Sequence, residues 1–331
     1  MQTAPSRILL IKLGAIGDVV NTLPLAQRLR AAWPDARLEW AIGPLAHQLV
    51  AGHRAIDEFL ELDSKRAGAW IPFVRELRRR RYDLVLDLQR LLKSGGLARL
   101  SGAPRRLGFD RARCKESSWL FTSERIPANP TPGVTVAQYL EFADHLGAPE
   151  TAPSWELPYE PWSGVEPAAV LNLGASKPAN LWPDERWAEV ATRLAERYGP
   201  ERVALSGGPG DRAAADAVLA AAPAGLLDAV GALTLKQSAG LIAASKVFIG
   251  CDTGPLHIAV AVGTPVVALF GAADPARTGP FGQPGSVLYE GAPCSPCRKR
   301  HCFVDGHPCM MKLEVERVVD AAVRAADGQP R

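Results

Sequence analysis

The chain has 331 residues and a net charge of +3, with 47% hydrophobic and 22% charged residues and six cysteines. That length builds one large or two medium α/β-sized cores without disulfides, and the composition argues against a disordered or collagenous chain. No apolar run reaches membrane-spanning length, and so weak a net charge argues against a nucleic-acid partner.

Taken in order, Arg7-Ile8-Leu9-Leu10-Ile11-Lys12 reads as a first strand, too short for the core of a signal peptide, so a cytoplasmic chain is expected. A glycine turn follows, Leu13-Gly14-Ala15-Ile16-Gly17-Asp18, then a helix over 19–33 and a strand over 37–42. This is a βαβ unit whose ligand edge lies at the carboxyl end of the strand. The turn lacks the G-x-G-x-x-G spacing of a dinucleotide fold, which argues against a nicotinamide-dependent oxidoreductase. Asp18 is either a helix cap or a carboxylate presented to a ligand; pattern alone leaves both open.

Alternation continues with a helix over 46–51, a strand over 58–62 and a helix over 71–81 whose apolar face is read as Ile71, Val74 and Leu77. Residues 82–88 form a buried strand, 89–100 a helix, 105–109 a short strand, 111–132 an irregular region and 136–146 a helix. From Ser64 to Glu116 there are 15 Lys and Arg against 5 Asp and Glu. That stretch is the candidate surface for an anionic partner, although the four arginines 78–81 alone read as a solvated helix end.

Residues 147–167 carry five prolines and little periodicity, which predicts a linker over 151–167 between a domain over 1–150 and a domain over 168–331. The βα alternation then restarts. Strands are expected over 168–173 and 202–205, each followed by a polar or glycine loop, with helices over 184–198, 213–222 and 235–244 and at best a weak strand over 226–230. Lys246-Val247-Phe248-Ile249 is a buried parallel strand leading into Asp252-Thr253-Gly254-Pro255-Leu256-His257 and a helix to 262. A helix starting directly after a strand offers free N–H groups and a positive dipole end, which suits phosphate. The competing reading makes Asp252-Thr253 a plain N-cap and His257 a satisfied helix histidine. A last helix is expected over 313–326. Two Rossmann-like α/β domains facing a central cleft are the expected architecture, with the last helix packing back onto the first domain.

Cys294, Cys297, Cys302 and Cys309 fall within sixteen residues. Four thiols so spaced form either a structural metal knuckle, with zinc or iron, or reduced thiols on a loop.

Three segments together resemble the ADP-heptose:lipopolysaccharide heptosyltransferases, glycosyltransferase family 9: Lys12-Leu13-Gly14-Ala15-Ile16-Gly17-Asp18 through Pro24, Tyr82-Asp83-Leu84-Val85-Leu86-Asp87-Leu88-Gln89 with Leu92-Lys93-Ser94, and Asp252 through His257. The resemblance implies the GT-B fold, inverting transfer and no metal required for catalysis. It implies that Asp18 is the general base on an acceptor side that includes Gly14, Gly17 and Lys93. The donor-side residues it implies are Ser176, Lys177, Asp211, Asp252, Thr253, Gly254 and His257. One position departs from the pattern: Asn180 stands two residues before Trp182-Pro183, where a lysine is common, and Lys177 is the nearby cation. The expected partners are ADP-heptose or another nucleotide sugar and an anionic glycolipid acceptor, with peripheral contact at the inner face of the inner membrane. The alternative is a non-catalytic or differently specific nucleotide-sugar-binding protein of the same fold.

Overall fold

The computed structural model describes residues 4–328; the first three and last three residues of the expected domains lie outside the described residues. The chain divides into two compact units, Met1–Pro158 and Tyr159–Arg331, with the boundary inside the proline-rich stretch.

The first unit is built from β1 (Arg7–Ile11), α1 (Ile16–Val20), α2 (Leu23–Ala32), β2 (Arg37–Ile42), α3 (Pro44–Val50), β3 (Glu58–Glu61), α4 (Trp70–Arg80), β4 (Leu84–Asp87), α5 (Leu92–Leu100), β5 (Arg105–Gly108), β6 (Glu124–Arg125) and α6 (Thr135–His145). Its six strands are parallel in the order β3-β2-β1-β4-β5-β6. Strand order therefore reverses between β1 and β4, which opens a crevice at their carboxyl ends. Leu9 and Ile11 of β1 pack in one cluster with Phe73 and Leu77 of α4 and Leu97 and Ala98 of α5.

Two expectations are corrected in this unit. The helix expected over 19–33 is two helices, because Pro24 has no N–H to continue a helix and instead opens α2, while the Thr22 hydroxyl donates to the Asp18 carbonyl (2.8 Å). The apolar face of α4 is also different. Ile71 is 65% exposed, while Phe73 and Leu77 are buried at an i, i+4 spacing and Val74 only flanks them. Within the stretch 111–132, expected to be irregular, Glu124 and Arg125 form β6; two polar residues carry no apolar alternation that would mark a strand.

The second unit follows the same plan: β7 (Ala169–Asn172), α7 (Asp184–Tyr198), β8 (Val203–Ser206), α8 (Arg212–Ala221), β9 (Leu227–Asp228), α9 (Leu235–Ala243), β10 (Val247–Cys251), α10 (Gly254–Ala261), β11 (Val266–Phe270), α11 (Pro275–Thr278), β12 (Val287–Tyr289), α12 (Pro308–Met311) and α13 (Val315–Ala326). The parallel sheet runs β12-β11-β10-β7-β8-β9, so its reversal lies between β7 and β10. Trp187, Val190 and Leu194 of α7 share a core with Leu171 and Ile249 of the sheet. Val315, Val318 and Ala322 of α13 are buried in the second unit's own core, because they form the helix's single apolar stripe against that sheet. No helix among the described residues is long and apolar enough to cross a membrane.

Candidate functional site

In the first unit the chemistry gathers where β1 and β4 end. Ile11 stands beside Asp87 in the parallel register, so the next residues, Lys12 and Leu88, emerge together at the reversal point. Lys12 is 1% exposed. Its Nζ donates to Asp18 Oδ2 at 2.9 Å and lies 3.5 Å from the Leu88 carbonyl oxygen. Asp18 stands in the first turn of α1, whose cap position is Ala15, so the helix-cap reading of Asp18 is corrected. Its side chain remains 37% exposed. The loop between β1 and α1 is held by backbone: Leu13 N–H donates to Gln89 Oε1 (3.0 Å), and Gly43 N–H to the Leu13 carbonyl (3.0 Å). A β-carbon on Gly43 would meet that carbonyl oxygen at 2.4 Å, so only glycine fits there.

The electrostatics follow from burial. Burial alone pulls the Lys12 ammonium down, but Asp18 and then Tyr139 outweigh it, so Lys12 is raised above its ordinary value and stays charged. Burial lifts the Tyr139 hydroxyl, and the Asp18 charge lifts it further. The Asp87 carboxyl is fully enclosed and is pushed up to about 6 by burial, against the pull of Ser94, the Gln89 and Arg90 N–H groups, and Lys12. Gly14, in the loop after Lys12, and Gly17 and Asp18, in the first turn of α1, thus follow Lys12 directly, whereas Lys93 is exposed in the first turn of α5.

In the second unit the loops after β7 and β10 converge at the other reversal point. Asn180 is 3% exposed, and its Nδ2 donates to the Asp252 carbonyl across 3.5 Å while its Oδ1 has no protein partner. Thr253 stands at the N-cap position of α10, in the extended conformation the N-cap reading expects, but its hydroxyl makes no cap hydrogen bond, so the first N–H groups of α10 lack that partner. His257 is buried in the first turns of α10. Burial raises the Asp252 carboxyl, opposed by His257, Thr278, Arg277 and Lys177, which places four polar or cationic side chains around it. Ser176 is exposed and Lys177 half-buried on the neighbouring loop. Asp211 turns back from the start of α8 to accept from the Gly208 N–H (2.7 Å). Thr253, Gly254 and His257 therefore lie on one helix start, with Asp252, Asn180 and Lys177 beside it.

The cysteine segment is a brace on this loop. The Ala179 N–H donates to the Arg300 carbonyl (3.1 Å), His307 Nε2 donates to the Ala179 carbonyl (2.9 Å), and the Trp182 indole N–H donates to the Met310 carbonyl (3.2 Å). Cys309 is buried, Cys294 and Cys297 are half-buried and Cys302 is exposed, all four as free thiols. Among the described residues no group of three or more His, Cys, Asp or Glu side chains is arranged to hold a metal ion. Burial pushes the Cys309 thiol up, and Cys294, Cys302 and Cys297 push it further, so the four thiols sit in one neighbourhood. Cys302 Sγ is turned to the Val304 carbonyl (3.2 Å), and Cys309 packs beneath Gly271. Sequence reasoning missed Lys12 and Asp87 as site members. The available signal was a charge closing each of two otherwise apolar strands.

The family model described as glycosyltransferase family 9 (heptosyltransferase) matches residues 70–307. The chain is similar to lipopolysaccharide heptosyltransferase 1 of Pseudomonas aeruginosa, with 30% identity over 89% of this chain and 87% of that protein. Its fold matches a family 9 glycosyl transferase from Veillonella parvula (TM-score 0.81, 22% identity, 98% of both chains). It also matches the Escherichia coli ADP-heptose lipopolysaccharide heptosyltransferase II (TM-score 0.79, 23% identity, 97% and 99% of the two chains), so the architecture is GT-B. On the family match and the Pseudomonas relative together, the chain belongs to glycosyltransferase family 9 and is a glycosyltransferase.

Proposed function

We propose that the protein transfers a heptosyl residue from ADP-heptose to a lipopolysaccharide-core acceptor with inversion at the anomeric carbon, and that Asp18 is the general base. The observation that carries the reading is Asp18 itself: a part-exposed carboxylate at the reversal point of the first sheet, fixed by a buried ammonium. Similarity to lipopolysaccharide heptosyltransferases, one of them named for ADP-heptose, supports the donor and the acceptor class.

In this reading Asp18 takes the proton of the acceptor hydroxyl as that oxygen attacks the anomeric carbon. The bond from that carbon to the diphosphate breaks on the opposite side, and ADP leaves. A single displacement inverts the configuration. The first N–H groups of α10, which no side chain caps, meet the charge that develops on the diphosphate together with His257 and Lys177. Asp252, Thr253 and Gly254 hold the donor beside them, and Ser176 and Asp211 line its nucleoside side. Gly14, Gly17 and Lys93 belong to the acceptor side. The basic stretch from Ser64 to Glu116 meets acceptor phosphates and carboxylates, so that the protein works in the cytoplasm as a peripheral protein at the inner face of the membrane.

The test is transfer from ADP-heptose to core acceptors followed by mass spectrometry. Asp18→Asn abolishes product while ADP binding, measured by calorimetry, is retained. Near-normal turnover by Asp18→Asn removes the base assignment, and absence of heptosylated product with every core acceptor removes the donor and acceptor assignment.

A further inference from the structure

The Lys12–Asp18 pair is asymmetric. Lys12 is almost fully enclosed, whereas the Asp18 side chain is 37% exposed and could be solvated by water alone. Lysine is rarely buried this completely unless its charge is matched, because an ammonium loses strong hydration on leaving water. The fold nevertheless places that ammonium under an accessible carboxylate, at the sheet's reversal point, with its three donors directed among Asp18 Oδ2 (2.9 Å), the Leu88 carbonyl (3.5 Å) and the face of the Tyr139 ring (5.5 Å to its centre).

We infer that Lys12 is a positioning residue for the reaction: it fixes the Asp18 carboxylate by one oxygen and holds it in the ionised state, ready to accept a proton. The inference rests on the reading of Asp18 as the base. An ammonium at hydrogen-bond distance favours the charged form of a carboxylate, so the base stays available to lower pH. The charged and titratable groups facing Lys12 are Asp18 from α1, Asp87 from β4 and Tyr139 from α6; Arg90, in the loop after β4, acts on Tyr139 in turn. Among the described residues Asp87 is a second carboxyl that acts on the ammonium, and its enclosure keeps it protonated under acidic conditions, where the ionisation of Asp18 matters most.

The experiment compares Lys12→Met, Lys12→Arg, Asp18→Asn and Lys12→Met/Asp18→Asn in the full chain, in the transfer assay above. Lys12→Met lowers kcat about 100-fold with donor KM within about 2-fold, and moves the acid limb of the kcat–pH profile up by about one unit. Lys12→Arg, which keeps the charge, returns the limb to within about half a unit of its original position. In the Asp18→Asn background, which is inactive in transfer, Lys12→Met leaves ADP binding as it is in Asp18→Asn alone, since Lys12 acts on Asp18 and not on the donor. Turnover within about 2-fold of normal and an unmoved acid limb in Lys12→Met, with Asp18→Asn inactive, overturns the role of Lys12 and leaves the base reading standing. An active Asp18→Asn instead overturns the base reading and the inference with it. Should Lys12→Met not fold, the side-chain ammonium resonances of 15N-lysine-labelled wild type and Asp18→Asn decide. A Lys12 signal that moves on losing Asp18 supports the pair, and one that does not move overturns it.

Discussion

In the second unit the Asp211 carboxylate occupies the space that a β-carbon on Gly174 would fill. A carbon built there would lie 2.1 Å from Oδ2 and 2.5 Å from Cγ of Asp211. Gly174 belongs to the loop after β7 and Asp211 to the loop after β8, so one missing methyl group lets two adjacent loops interlock. The same carboxylate is held by the Gly208 N–H.

Gly174→Ala should therefore drive Asp211 off Gly208. A displaced short carboxylate and an unpaired N–H cost about 1–2 kcal/mol, read as a fall in melting temperature. ADP binding by calorimetry should weaken as well, because the loop carrying Ser176 and Lys177 starts at this contact. The double variant Gly174→Ala/Asp211→Ala should recover most of the melting temperature and none of the affinity. An unchanged melt for Gly174→Ala would show that the loops do not interlock in solution.

His307 braces the donor-side loop through Ala179 from a left-handed backbone position, φ 46°. Replacing it with alanine removes the ring and leaves the backbone demand in place, while glycine removes the ring and satisfies the backbone. His307→Ala should raise donor KM several-fold with kcat within about 2-fold, since the loop is loosened but Asp18 is untouched. His307→Gly should share the KM effect and melt at a higher temperature than His307→Ala. Equal KM values for wild type and His307→Ala would detach the cysteine segment from donor binding.

Asp87 is a buried carboxyl held up at about 6, against an ordinary value of 3.8. A group raised on folding contributes fully to stability below its unfolded value and loses that contribution as pH rises through its folded value. Wild type should therefore lose stability between pH 4 and pH 7 at this site. Asp87→Asn should be the more stable protein at pH 7.5, by up to about 2 kcal/mol, with the advantage gone at pH 4. Urea melts at the two pH values measure it. An advantage that does not depend on pH would place the effect elsewhere.

Glu58 behaves in the opposite sense. Arg80, then Arg37, hold its carboxyl down at about 2 from an ordinary 4.5. Its stabilising contribution is present above pH 4.5 and is lost as pH falls toward 2. Glu58→Gln should melt below wild type at pH 7, with the two curves converging under acid. The gap should be modest and should shrink with added salt, because the side chain is 36% exposed and water screens the pair.

Much of this molecule is legible in the order of its residues. Short apolar strands, glycine loops and amphipathic helices alternate twice around a proline-rich stretch, and that alternation implies two parallel α/β sheets before any coordinates are seen. The α7 expectation over 184–198 matches the helix residue for residue, because a strong 3.6-residue period and Pro183 leave little freedom at its start. Asp18, after a glycine turn, and Asp252, at the end of an apolar strand, are likewise legible as carboxylates placed where a strand meets a helix. Residues 89–91 were less legible. They carry helical composition, yet Asp87 draws the Gln89 N–H to itself (3.0 Å) and Arg90 adopts a positive φ of 64°, so α5 starts only at Leu92.

By itself the sequence determined the class of fold, the strand endings that carry chemistry and the family, because periodicity and motif spacing are local properties of the chain. Tertiary structure alone decided which of these residues meet. Asp87 comes to Lys12 only because β4 lies beside β1 in the sheet, and Asn180 meets Asp252 only because β10 lies beside β7. It also decided that Ile71 faces water and that Arg300, His307 and Met310 brace the donor-side loop, since burial and contact are fixed by what packs opposite a residue rather than by its own chemistry. A strand order that reverses beside its first strand is what turns separate loops into one site.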